Sequence, residues 1–171
     1  MSTQELEQLN HAKQNAEAWS DQITAAWEAH SFCAERSQQF AAIRNLSQEG
    51  RKLSREAKVV LREHGYDGTN QDTIAERIED AMRDAPLSVE VREGWKEPGD
   101  GASLDPEQFR ILLTTGGPAL RIMGELNHGE PSRCWLEHQD WGATWSRYFS
   151  RSAERVAALL WFASLFWFGE G

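Results

Sequence analysis

From Leu6 to about Leu46 the chain has neither Pro nor Gly, and apolar or small residues recur at Leu9, Ala12, Ala16, Trp19, Ile23, Ala26, His30, Cys33, Ser37 and Phe40. The intervals alternate between threes and fours, which predicts a long helix with a coiled-coil-like seam. Ser2 or Thr3 can cap its start. Ser47 and Gly50 predict a break, then a second helix from about Ser47 to His64 whose face is Leu53, Ala57, Val60 and Leu61. Folded back as a hairpin, that face would cover part of the Trp19 to Phe40 seam. Asn70 or Asp72 opens a third helix through Met82 or Asp84, with Ile74, Ile78, Ala81 and Met82 inward, and Pro86 stops it.

Periodicity then changes from helical to alternating. LSVEVREGW reads as a first strand with Val89, Val91 and Leu87 on one side and Glu90 and Arg92 on the other. Gln108 to Thr114, Ala119 to Leu126 and Ser132 to Gln139 read as three more, separated by the TGGP and NHGEP turns. Short Gly-containing turns make neighbouring strands antiparallel. The chain then passes through ATWSRYFSRS to Ser152, which caps a helix carrying Val156, Leu159, Leu160, Phe162, Phe166 and Trp167. That helix is apolar nearly all round, so it should be sandwiched. The expected architecture is α+β, a four-stranded antiparallel β-meander flanked by helices. Residues 1–66 form a helical region and residues 67–171 the core domain.

Composition narrows the classes of function. The 171 residues carry 18 Lys and Arg against 27 Asp and Glu, a net charge of −9. Acidity spread along the chain argues against sequence-independent binding to nucleic acid or an anionic membrane. The apolar run Val156 to Phe168 would span roughly 20 Å as a helix, short of a hydrocarbon core of about 30 Å. No basic segment followed by an apolar one opens the chain, and only Cys33 and Cys134 are present, so a reducing cytoplasmic protein is expected.

Candidate chemistry is sparse. His128, Cys134 and His138 lie close in sequence, and His30 and Cys33 are three apart on a helix, but neither set has a metal-ligand spacing. Cys134 and His138 would stand roughly 13 Å apart along a strand, too far for a nucleophile and its base. TTGGP lacks the Lys and the following helix of a phosphate loop, and a hairpin explains its glycines. We therefore expect no catalytic residue, metal or cofactor. Eight tryptophans are many for this length. Trp95, Trp135, Trp141 and Trp145 gather at the sheet's ends, Trp135 suiting the core and Trp141 and Trp145 leaving core and interface both open. Asp140, between large aromatics where a strand gives way to a loop, completes a candidate interaction set of Trp95, Asp140, Trp141 and Trp145. Trp19, Ile23 and Phe40 on the seam are candidates for self-association as a homodimer.

PLSVEVREGW, FRILLTTGGPALRIMGEL, LEHQDWG and the terminal FWFGE together resemble a family of small uncharacterised proteins from bacteriophages, prophages and mobile elements of Gammaproteobacteria. The match covers roughly residues 73–170. It departs at DWGATWSRY, where a proline is expected before the second Trp, and in a more apolar terminal helix. The resemblance carries no catalytic residue. It implies a role in host takeover, as a non-enzymatic, anti-CRISPR-like inhibitor that binds a host or defence-system protein. A self-associating phage assembly accessory is the alternative, and a small enzyme using Asp140 with Glu125 or His138 is a third reading.

Overall fold

The computed structural model describes residues 3–42, 53–92, 106–140, 143–150 and 152–168, with the side chains of 3–9 and 37–42 outside that description. Four helices, α1 (Thr3–Ala42), α2 (Arg55–Glu63), α3 (Gln71–Arg83) and α4 (Ala153–Ser164), accompany five strands, β1 (Ser88–Arg92), β2 (Gln108–Thr114), β3 (Ala119–Asn127), β4 (Glu130–Gln139) and β5 (Ser146–Tyr148). The strands form one antiparallel sheet in the order β1-β2-β3-β4-β5. The α+β class and the meander are as the sequence reads, with a fifth strand added. Ser146–Tyr148 is too short for a two-residue period to show, and only pairing of Leu136 with Tyr148, Glu137 with Arg147 and His138 with Ser146 defines it.

The 40 residues of α1 make a rod of about 60 Å. It packs against α2, α3 and α4 and against β3, β4 and β5. Its buried positions, Ala12, Ala16, Ser20, Ile23, Ala25, Ala26, Ala29 and Cys33, form a stripe wider than a coiled-coil seam. The width follows from having partners on more than one side. Trp19 packs against the same core from a partly buried position. Leu9, Ser37 and Phe40, and the break expected at Ser47 to Gly50, lie outside the described residues or side chains.

Helix α2 begins at Arg55 rather than Ser47, because Ser54 is its cap and accepts a 3.1 Å hydrogen bond from the Ala57 amide. The Ser54 amide donates in turn to Glu28 Oε2 of α1. Ala57 and Leu61 are buried, and Leu53 and Val60 are packed against the core, so this helix covers part of the α1 stripe as expected. In α3, Ile74, Ile78 and Met82 point inward but Ala81 is exposed, and Gln71 is buried in addition. Asn70 occupies the cap position without capping, since its side chain accepts from the Asp67 amide and donates to the Gly65 carbonyl. The cores of α1, α2, α3, the sheet and α4 form one hydrophobic cluster, so residues 1–66 and the remainder share an interior.

One sheet face meets the helices. It carries Phe109, Ile111 and Leu113 of β2, Leu120 and Ile122 of β3, and Cys134, Leu136 and His138 of β4, all buried. Val89 and Val91 stand opposite Ile111 and Phe109, hence on this face, yet with Leu87 they are exposed. They share one side as the alternation reads, but β1 is an edge strand and the main contacts of α1 and α4 with the sheet are to β3, β4 and β5, further along the strand order. Helix α4 is likewise less enclosed than its composition suggests. Ala158, Leu159, Phe162 and Ala163 are buried, whereas Val156 is 41% exposed; the helix ends at Ser164, so Phe166 and Trp167, expected on it, lie beyond its end, Trp167 82% exposed.

Two glycines are required by the sheet. His128 (φ 51°) and Gly129 (φ 79°) both take left-handed backbone in the two-residue β3–β4 turn, as the twist of a tight hairpin demands. Gly124 lies opposite Phe109 on β2, and a Cβ there would stand 2.2 Å from the Phe109 ring and 2.6 Å from the Arg133 carbonyl oxygen. The ring cannot swing away freely, because Phe168 packs on it at 4.6 Å between centroids. Gly124→Ala is expected to lower unfolding free energy by about 1–3 kcal/mol, the usual range for overpacking a filled core, measurable by urea denaturation.

Candidate functional site

The other sheet face has no helix over it among the described residues, and its side chains are large, charged and aromatic. Register places Glu90, Arg110, Met123 and Trp135 in one row across β1 to β4. Leu112, Arg121, Glu137 and Arg147 make a second row across β2 to β5, and Arg92, Gln108, Glu125 and Arg133 a third. Alternation thus presents five arginines and three glutamates on one surface of an acidic chain. A depression of about 360 Å3 lies over this face near β1, lined in part by Glu90, Arg110, Arg121 and Met123.

The central polar cluster is closely hydrogen-bonded. Arg121 donates to Glu137 Oε2 through Nε at 2.9 Å and Nη2 at 2.8 Å, while Trp135 Nε1 donates to Glu137 Oε1 at 2.8 Å. The Arg121 guanidinium lies 3.9 Å from the centre of the Trp145 ring. Arg147 covers the Trp135 ring at 4.6 Å. Each indole therefore holds a guanidinium against its π face, an arrangement that fixes long side chains at a low entropic cost. Arg110 pairs with Glu90 and holds its carboxyl below the usual range.

Of the expected interaction residues, Trp145 belongs to this surface, Asp140 lies at the end of β4 beside it, and Trp95 and Trp141 fall outside the described residues. Trp135, expected in the core, is partly exposed on the open face. Of the self-association set, Ile23 is fully buried and Trp19 packs inward, so both spend apolar surface within the chain. Arg121 and Arg147 were not singled out by the sequence. A lone arginine in a strand has no local signal, and only cross-strand register brings each to its indole.

The two candidate partners of Asp140 lie on opposite faces of the sheet. Glu125 pairs with Arg133 on the open face, whereas His138 is buried on the helix-covered face, about 16 Å further along β4. Burial pushes the Cys33 thiol up to about 11 and the Cys134 thiol to about 12, so both stay protonated near neutrality. His30 bonds Glu79 Oε1 at 2.8 Å and stacks on Trp161, joining α1 to α3 and α4. Among the described residues no three His, Cys, Asp or Glu side chains are placed to hold a metal ion. No described helix is long and apolar enough to cross a membrane. No family model, curated protein or solved structure matches the chain.

Glu137→Ala leaves the Arg121 guanidinium and the Trp135 N–H without their acceptor, and should cost about 1–3 kcal/mol in urea denaturation. His138 is pushed below its ordinary value of 6.5 by burial first and by the Lys13 charge second, and its Nδ1 has no hydrogen-bond partner among the described residues. The unfolded chain therefore takes up this proton before the folded one does. The stability His138 contributes is complete above about pH 6.5 and declines as pH falls below it toward the lowered folded value. Stability should fall less between pH 6.5 and 5 in His138→Gln than in the wild type, as measured by the urea midpoint at each pH.

Proposed function

We propose that the protein is a non-enzymatic interaction protein whose contact surface is the open face of its sheet. The observation that carries this reading is the Arg121–Trp145 and Arg147–Trp135 pairing on a face with no helix over it. Arg and Trp are the residues that supply most binding energy where proteins meet, because they combine large contact area with fixed donors. Ordering of these side chains before contact lowers the entropy lost on association. The resemblance to phage and prophage proteins supports a partner in the bacterial host, and inhibition of a defence component is the role we propose for the contact. A partner bound here would be occluded stoichiometrically, and no chemistry at the surface is required.

The test compares capture of host proteins by tagged wild type, by Met123→Glu at the centre of the open face, and by Glu76→Lys on the exposed side of α3. A specific host protein should be retained by the wild type and by Glu76→Lys, and lost by Met123→Glu. Retention by Met123→Glu would place contact elsewhere and end this reading. The same loss should restore defence in cells challenged with phage.

A further inference from the structure

We infer that the β4–β5 corner of the open face, formed by Arg133, Trp135, Arg147 and Phe149, accepts an acidic segment of the partner protein that carries an apolar side chain beside its carboxylate. The inference rests on the reading of the open face as the contact surface and names the chemistry of what docks there.

Charge is the first argument. The open face carries Arg92, Arg110, Arg121, Arg133 and Arg147 against Glu90, Glu125 and Glu137, a local excess of cations on a chain of net charge −9. That excess is available at the corner. Arg147 stands opposite Glu137, but both Glu137 oxygens are taken by Arg121 and Trp135. Among the described residues no carboxylate pairs with Arg147, which is held only by the Trp135 ring at 4.6 Å and the Phe149 ring at 5.6 Å. Its donors are therefore positioned and unspent. Arg133 is 62% exposed, and its nearest carboxylate oxygen, on Glu125, is 3.8 Å away. A carboxylate arriving at Arg147 would gain fork-shaped hydrogen bonds without breaking a strong pair, and Arg133, further along β4 on the same face, adds to the local positive charge.

Phe149 supplies the second requirement. It is 78% exposed immediately after β5, with the Arg147 guanidinium 5.6 Å from its ring centre, so an apolar surface lies next to an unspent cation. An apolar side chain next to the incoming carboxylate would rest on that ring.

A single-stranded nucleic acid is the competing anion, and the surface suits it less. Bases need free aromatic faces, but Trp145 and Trp135 each have a guanidinium on one face. A phosphate chain running across the sheet would also meet Glu90, Glu125 and Glu137 in succession. A short acidic segment needs only the corner.

The experiment pans a random peptide library against the full-length protein and measures the affinity of enriched peptides for variants. Enriched sequences should place Asp or Glu beside an aliphatic or aromatic residue. Their Kd should rise about tenfold or more in Arg147→Glu, as expected when a charge-assisted contact is replaced by repulsion, and severalfold in Phe149→Ser, while Glu76→Lys leaves it unchanged. Enrichment of non-acidic peptides, absence of enrichment, or an unchanged Kd in both corner variants would overturn the inference. So would tighter binding of a labelled twenty-nucleotide oligothymidylate that Arg147→Glu abolishes, which would assign the corner to nucleic acid. If the captured host protein is lost by Met123→Glu but retained by Arg147→Glu and Phe149→Ser, the open-face reading stands and the corner assignment falls. If all three variants retain it, both fall.

Discussion

The close approach of α1 to its neighbours is the constraint on which the rest of the structure depends. Ala12, Ala16, Ala26, Ala29 and Cys33 are essentially without solvent contact, and their small side chains let one rod serve both the sheet and the other helices. Interior packing at this density has little room for additional methylenes, so the alanines are a geometric requirement and not merely good helix formers. Ser20 is buried among them with no hydrogen-bond partner for its hydroxyl among the described residues, a local cost set against that compactness. Directional ties then lock the rod's position: His30 to Glu79, Asp21 to Arg155, and Glu28 to the Ser54 amide. Arg155 also donates to the Tyr148 hydroxyl, so the last helix, the last strand and the first helix meet at one guanidinium.

Because the helices take one side of the sheet, the two faces have opposite character. Gln108–Thr114 shows this residue by residue, with Phe109, Ile111 and Leu113 buried and their neighbours partly exposed. That alternation was legible, as were the helix-capping role of Ser152 and the glycine turns, because each is a local property of a few adjacent residues. Ala81 shows the limit. It continues the apolar spacing of α3, but a helix face is only as wide as the neighbour that covers it. Val89 and Val91 alternate correctly and remain exposed for the same reason, since an edge strand's surroundings are decided by other parts of the chain.

The candidate site was less legible than the fold. Trp145 was identifiable from its aromatic setting, yet its guanidinium partner is 24 positions earlier in the chain, on β3. Arg147 and Trp135 likewise meet only through strand pairing. Net charge was a poor guide to this surface, because a sum over the whole chain conceals segregation of cations onto one face. An acidic protein can therefore present a cationic surface, and a binding partner responds to the surface it meets.

Phe109 and Gly124 also bear on how such a chain can change over generations. The ring occupies the space a side chain at 124 would need, and Phe168 packs against the same ring. Neither position is free to drift by itself: a lineage that enlarges residue 124 has first to shrink residue 109, and then to refill the space against residue 168. The three sites form one inherited unit, so descendants of this fold should record their substitutions there as correlated sets, even though the residues lie on two strands and beyond the final helix.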